Sequence, residues 1–164
     1  MEGAGPAGRP RRPTVVVGLG NEHRADDGAG ILVARQLRPR LESRVRVVEG
    51  PADATALLDL WDARTLAIVI DAVRSGAPVG SVRRIEVGAG PLAALAGSTS
   101  THGFSLGEAV ELGRALGQFP ERLIVYGIEA GRFDAGDAVS PEVRTAVGLV
   151  VERIASELRD AGAA

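Results

Sequence analysis

The chain contains no cysteine and no lysine, and two of its 164 residues are histidines. Without cysteine, the sequence excludes disulfides, thiolate nucleophiles and cysteine-based zinc or iron-sulfur sites. Without lysine, it also excludes Schiff-base chemistry, a Ser-Lys dyad and the lysine of a phosphate-binding loop. His23 and His102 are therefore the two side chains that could act as an imidazole base or as an imidazole metal ligand.

Charge and hydropathy exclude two further classes of protein. The formal net charge of −2 comes from 19 basic and 21 acidic residues scattered along the chain, which gives no binding surface for nucleic acid or for a membrane. No apolar run approaches the roughly 20 residues of a membrane-spanning helix, and residues 1–13 lack the apolar centre of a signal peptide. We expect a cytoplasmic, monomeric protein with no nucleic-acid or membrane partner.

The length and the 45% hydrophobic content match one ordinary domain that buries its own core. Residues 1–13, which contain proline, glycine and arginine, are predicted to form a disordered lead-in, and residues 14–160 to form the single domain. The 22 glycines lie at the ends of apolar runs rather than at a fixed period, which excludes a repeat or fibrous architecture.

Short β-branched apolar segments alternate with amphipathic segments along the chain. Strands are predicted at residues 14–18, 45–48, 66–71, 81–87 and 123–128. Helices are predicted at about 28–38, from Asp53 through Trp61, after Ser105, and after Ser140. This alternation predicts a three-layer α/β/α sandwich with a mostly parallel, roughly five-stranded sheet. Sites in such sheets lie at the carboxyl ends of strands, so the candidates are residues 18–27, Asp71, His102 after the fourth strand, and Glu129.

A dinucleotide-binding interpretation of Gly18-Leu19-Gly20 is disfavoured. The fingerprint requires a third glycine, and His23 stands at that position. It also requires an acidic residue about 20 positions further on, and Glu49 lies too far along the chain. We therefore expect no bound nucleotide at this turn.

A serine-hydrolase interpretation is disfavoured as well, although residues 103–107 match the Gly-x-Ser-x-Gly elbow. The elbow must join a buried strand to a helix, and the preceding residues, 98–102, are Ser, Thr and His. Both histidines also precede Ser105, whereas the catalytic histidine of that fold follows the serine. A helix cap completed by Glu108 explains Ser105 more simply.

Two carboxylates and an imidazole form the remaining constellation. Asp27, Asp71 and His102 offer hard and borderline ligands that suit nickel, zinc or manganese, and three protein ligands leave positions open for water or for a group of a partner. The spacing equally allows that Asp26 or Asp27 caps the first helix, that Asp71 begins a turn and that His102 is satisfied within a loop. Spacing alone leaves both interpretations open.

Three other polar residues near the predicted strand ends have local explanations. His23, beside Glu22 and Arg24, is predicted to be a solvated loop residue rather than a ligand. Asn21 either donates a hydrogen bond to a substrate or stabilises the glycine turn that holds it. Glu129 could orient the backbone of a partner, but an acidic residue at a strand end is common.

The amino-terminal motif resembles that of a known family. Gly18-Leu19-Gly20-Asn21, followed by Ala25-Asp26-Asp27-Gly28-Ala29-Gly30, is similar to the signature of the hydrogenase maturation proteases, in which a Gly-Asn turn precedes an Asp-(Asp/Glu)-Gly segment. Ile70-Asp71-Ala72 resembles the second site of the family, where an apolar strand runs into Asp-Ala.

The rest of the chain extends this resemblance in the same order. His102 lies where the family places its third ligand, in a small-residue loop before a helix. Tyr126-Gly127-Ile128-Glu129, with Gly136 and Ser140-Pro141-Glu142-Val143 after it, is similar to the closing segment of the family. The chain departs from the family pattern at Glu22-His23-Arg24, where apolar residues are frequent, and in its lead-in.

The resemblance implies a specific task. Members of the family are endopeptidases that remove the carboxyl-terminal tail of the nickel-iron hydrogenase large-subunit precursor after nickel insertion. The resemblance implies that Asp27, Asp71 and His102 meet that nickel, which the precursor itself supplies, and that these residues serve the cleavage of the nearby peptide bond. An alternative remains: a non-catalytic module that binds the nickel-loaded subunit and monitors its maturation.

Overall fold

The computed structural model describes residues 12–41, 43, 45–50, 54–88, 106–136 and 138–161. The strands within these residues are β1 (Thr14–Gly18), β2 (Val45–Glu49), β3 (Leu66–Val73), β4 (Val82–Val87) and β5 (Arg122–Glu129). The α-helices are α1 (Ala29–Leu37), α2 (Ala54–Leu58), α3 (Leu106–Ala115) and α4 (Pro141–Asp160). Among these described helices, none is both long enough and apolar enough to span a membrane.

The strands form one sheet in the order β2-β1-β3-β5-β4. β1 pairs in parallel with β2 and β3, and β3 pairs in parallel with β5. β4 pairs antiparallel with β5 at one edge of the sheet. The predicted five-stranded, mostly parallel sheet is confirmed.

Helices cover both faces of this sheet, which confirms the predicted three-layer sandwich. On one face, even-numbered residues of β3 and β5 pack against α1 and α4. The predicted apolar face of α4 is buried there, and its members are Val143, Val147, Val150, Ile154 and Leu158. On the other face, odd-numbered residues of the same strands pack against α2 and α3. Alternation of side chains along each strand thus divides the core in two.

Three details differ from the sequence-based expectations. β3 does not end at Asp71 but continues to Val73, because β5 pairs with it in register as far as Glu129. α2 ends at Leu58, and Trp61 is buried in the chain that follows it. Because β4 is antiparallel, its carboxyl end at Val87 pairs with Leu123 near the amino end of β5. It therefore lies at the opposite end of the strands from Gly18. The expectation that the carboxyl end of the fourth strand lies beside the others was therefore wrong.

Two glycines allow α1 to approach the sheet at backbone distance. A Cβ atom added to Gly30 would lie 2.3 Å from the carbonyl oxygen of Leu19 and 2.5 Å from that of Ile70. A Cβ atom added to Gly18 would lie 2.2 Å from the carbonyl oxygen of Gly30. Since real Cβ atoms are excluded at such distances, only glycine permits this contact. The contact fixes the start of α1 against the end of β1 and against Ile70 of β3.

Candidate active site

Asp27 and Asp71 lie at the same end of the sheet, the end at which the parallel strands have their carboxyl termini. Asp27 belongs to a 3-10 turn, Ala25–Gly28, that connects β1 to α1 and contacts β3. Asp71 lies on β3, one residue beyond Ile70, which pairs with the last residue of β1. Both carboxylates are buried, with 0% of Asp27 and 4% of Asp71 exposed. The fold therefore brings together two of the three predicted ligands.

The third predicted ligand, His102, lies outside the described residues, as do Ser105 and the first three residues of the Gly-x-Ser-x-Gly segment. Among the described residues, no group of three or more His, Cys, Asp or Glu side chains is arranged to hold a metal ion. The predicted three-ligand site therefore depends on His102, and the assignment of that histidine stays a prediction.

The loop before Asp27 has an unusual backbone. Gly20 has a φ of 133°, and a Cβ atom there would lie 2.0 Å from the carbonyl oxygen of Asp27. Ala25, the residue that opens the 3-10 turn, has a positive φ of 47°, a region that non-glycine residues rarely adopt. Such strain persists only where surrounding contacts impose it, and it is common at functional sites.

Asn21 and His23 stabilise this loop from within. The side-chain Oδ1 of Asn21 accepts a hydrogen bond of 2.9 Å from the backbone N–H of His23, and its carbonyl accepts one of 3.1 Å from Arg24. The structure thus supports the turn-stabilising interpretation of Asn21. His23 is exposed, as predicted.

Asp26 connects the loop to a distant part of the chain. Its Oδ2 accepts hydrogen bonds from the backbone N–H groups of Gly131 (2.9 Å) and Arg132 (3.0 Å), and its Oδ1 accepts one of 2.6 Å from Ser140. Asp26 therefore caps neither the turn nor α1. Ser140 is the N-cap residue of α4, and its own side chain makes no capping hydrogen bond. The hydrogen bond to Asp26 therefore ties the start of α4 to the loop. We call this arrangement the Asp26 clamp.

Sequence reasoning missed the clamp because it considered Asp26 only as a helix cap. One signal was available: a helix has one N-cap position, so the second of two adjacent acidic residues had to serve elsewhere. The partners of Asp26 lie more than 100 residues away in sequence, and no local pattern identifies them.

The clamp lowers the pKa of Asp26. Burial by itself raises the pKa of this carboxyl, but the hydrogen bonds from the N–H groups of Ser140, Gly131 and Arg132 favour the charged form and hold the pKa below its usual value. A carboxylate whose pKa is lower in the folded state stabilises the fold above its unfolded pKa of about 4. That contribution is lost as pH falls from about 4 through the folded pKa.

Asp26→Asn is expected to reduce the free energy of unfolding by roughly 3 kcal/mol at pH 7, because an amide replaces one acceptor oxygen and leaves a buried N–H group without a partner. The cost should be smaller at pH 3, where part of the wild-type carboxylate is already protonated. Urea unfolding at both pH values measures the difference. The exposed Asp160→Asn variant should change stability by less than about 0.5 kcal/mol at either pH, and an equal effect of the two variants would contradict the clamp.

Glu129 organises the loop that follows Asp71. It is 3% exposed, and its carboxylate accepts hydrogen bonds from the backbone N–H groups of Ser75 (2.8 Å) and Gly76 (3.0 Å) and from the Ser75 hydroxyl (2.7 Å). Its backbone also pairs with Ser81 and Gly80. Glu129 thus fixes the connection between β3 and β4 beside the candidate site, rather than presenting a free carboxylate to a partner.

Comparison with protein families gives one match that covers most of the chain. A family model described as hydrogenase maturation protease matches residues 31–157, a range that includes Asp71 and His102 and begins after Asp27. The hydrogenase expression/formation protein HupD of Thiocapsa roseopersicina is 27% identical over 141 residues, which cover 84% of this chain and 64% of HupD. HoxM of Cupriavidus necator is 29% identical over 148 residues, which cover 88% of this chain and 73% of HoxM. The match thus spans less than two thirds of the length of HupD.

The chain superposes on solved structures of similar fold over nearly the whole length of each. The hydrogenase maturation protease HybD of Thermococcus kodakarensis is 28% identical and superposes with a TM-score of 0.72, covering 88% of this chain and 97% of that one. The endopeptidase HybD of E. coli gives a TM-score of 0.79 at 23% identity, covering 91% and 93%.

Proposed function

The chain belongs to the hydrogenase maturation protease family, and from that membership we propose that it is an endopeptidase for the nickel-iron hydrogenase large-subunit precursor. It removes the carboxyl-terminal tail of that precursor after nickel has been inserted. We propose further that it acts in the cytoplasm as a monomer. Its partner is the precursor, with neither nucleic acid nor membrane involved.

The observation that carries the proposal is the burial of two carboxylates at one edge of the sheet. Burying an ionised carboxylate costs free energy that an apolar residue would not, so packing does not explain why Asp27 and Asp71 are buried there. A pair of buried acidic residues at the carboxyl ends of parallel strands, where such folds carry their sites, is a candidate for function. The strained turn and the Asp26 clamp both fix the position of Asp27, which supports the same conclusion.

We propose that Asp27, Asp71 and His102 recognise the nickel ion that the precursor carries. Carboxylate oxygens and an imidazole nitrogen form a donor set that suits nickel, and three ligands leave positions for groups of the precursor. A metal ion held beside a peptide bond can polarise the carbonyl or lower the pKa of bound water. In this proposal the metal arrives with the substrate, so a precursor without nickel is not licensed for cleavage.

Mass spectrometry of the precursor tests this function. A nickel-loaded large-subunit precursor incubated with the protein is expected to lose a carboxyl-terminal peptide, while a nickel-free sample keeps its full mass. The nickel-free precursor is the matched control because it differs only in the metal. If a loaded cognate precursor binds but keeps its mass, the protein is a docking module that monitors maturation and the peptidase proposal is wrong.

A further inference from the structure

A glycine stands directly across the sheet from Asp71. Gly127 of β5 is the register partner of Asp71 of β3, and paired positions on neighbouring strands are about 5 Å apart and face the same side. Ile70 and Ala72 belong to the α1/α4 face, while Val69 and Val125 belong to the opposite face. By alternation, Asp71 and Gly127 therefore share the face that carries α2 and α3. Because Gly127 has no side chain, Val73 packs over this position, and a Cβ atom added to Gly127 would lie 3.3 Å from a methyl group of Val73.

Gly127 and Val73 both line a defined groove, which we call the Gly127 groove. It lies between the ends of β3, β4 and β5 and has a volume of about 140 Å³. Its apolar lining consists of Val73, Ala77, Val82, Ile85, Val125 and Gly127. A cavity of roughly 150 Å³ accommodates a molecule the size of benzene, so the groove has room for one aliphatic side chain.

Two charged side chains line the groove, and they differ in whether they already bind other groups of the protein. Glu129 lines it, but its carboxylate accepts hydrogen bonds from Ser75 and Gly76. Arg83 also lines it and is exposed, and its guanidinium makes no hydrogen bond or ion pair with the residues that the structure describes. Its neighbour Arg84 instead forms a two-pronged contact with Glu157. The charge that the groove offers to an incoming group is therefore positive.

We infer that the Gly127 groove is the subsite for the substrate segment next to the scissile bond, where it receives an aliphatic side chain while Arg83 binds a carboxylate of the same segment. The inference rests on the proposed function, which supplies the substrate. The subsite is connected to the proposed nickel ligands through Gly127, which lines the groove and is the register partner of Asp71. Specificity then comes from an apolar pocket and one charge, rather than from the metal alone.

Binding of the nickel-loaded precursor, measured by fluorescence anisotropy, tests the subsite independently of cleavage. Gly127→Val adds a side chain to the lining, where its Cβ would lie 3.3 Å from Val73, and is expected to raise Kd about tenfold, the effect of losing a well-placed aliphatic group; a thermal melt of the variant checks that it remains folded. Arg83→Gln should raise Kd several-fold at low salt and less at high salt. Ala77→Leu, at an exposed lining position, fills the groove without altering the buried core and should act like Gly127→Val.

Matched controls lie on α4, on the other face of the sheet. Gly148→Val and Arg153→Gln make the same chemical changes at exposed positions and should leave Kd unchanged. Precursors in which aliphatic residues flanking the cleavage position are changed to alanine provide the decisive comparison. Changing the residue that occupies the groove to alanine should raise the Kd for the wild-type protein. The same change should leave the Kd for Gly127→Val and for Ala77→Leu unaltered, because the effects of two substitutions in contact are not additive.

Each outcome decides the matter. Additive losses for every flanking residue, unchanged binding by Ala77→Leu, or no binding of the precursor to wild type would overturn the subsite. A precursor that binds with the expected couplings but keeps its tail would leave the subsite standing and refute the peptidase proposal.

Discussion

Asp71→Asn is expected to abolish processing of the nickel-loaded precursor without destabilising the protein. Asparagine keeps the shape of the side chain but loses the anionic ligand, and kcat/KM should fall by more than roughly 100-fold, since even residues that merely support metal ligands contribute 10–100-fold. The melting temperature should stay near that of the wild type, because asparagine keeps the volume of the side chain and one of its two acceptor oxygens. Quantitative mass spectrometry of the precursor and a thermal melt measure the two effects.

Asp27→Asn and His102→Ala should produce the same loss of processing. The matched control is Asp160→Asn, which removes one carboxylate from the exposed end of α4 and should process the precursor at the wild-type rate. Processing at the normal rate by any of the three site variants would remove that residue from the ligand set. A loss of activity accompanied by a collapse of the melting temperature would instead indicate a structural role.

Gly30→Ala is expected to have the largest effect on stability, a loss of about 3 kcal/mol or more in the free energy of unfolding. The added methyl would lie within 2.5 Å of the carbonyl oxygens of Leu19 and Ile70. These atoms belong to backbone at the centre of the sheet, where Leu19 also donates a 2.8 Å hydrogen bond to Ile70. Relief would require α1 to move away, and forced overpacking of this kind costs 1–3 kcal/mol or more. Urea unfolding measures the loss.

Gly148→Ala provides the control for Gly30→Ala. Gly148 lies inside α4, and an added Cβ would meet nothing within 4 Å. Alanine is favoured over glycine in a helix interior, so this variant should gain roughly 0.5–1 kcal/mol. If the two variants changed stability in the same direction, the close approach of α1 to the sheet would not be the reason for Gly30.

The sheet and its layers could be predicted from local sequence because their signals are local. Apolar runs rich in β-branched residues, such as 15–17 and 66–70, are buried on both faces, which requires helices on both sides. The buried face of α4 follows from the helical spacing of its apolar residues. Strand-end positions made Asp27 and Asp71 candidates, but the family resemblance supplied their assignment as ligands, which stays a prediction.

The remaining features depend on contacts between distant residues, so local patterns did not reveal them. The direction of β4 is set by its pairing with β5. The sequence of Val82–Val87 is compatible with either a parallel or an antiparallel strand. The continuation of β3 past Asp71 depends on the length of β5. Glu129 was identifiable as a strand-end acid, but its donors at Ser75 and Gly76 lie more than 50 residues before it.

The Asp26 clamp also has a consequence for the time at which the protein becomes competent. Asp26 leaves the ribosome well before its partner Ser140, which lies 114 residues later in the chain. At a synthesis rate of roughly 5–20 residues per second, that interval is on the order of ten seconds. During this time the turn that carries Asp27 lacks the hydrogen bond between Asp26 and Ser140. A chain that ends before Ser140 therefore lacks one of the contacts that position the turn carrying Asp27, and the candidate site gains that contact only when the last helix begins.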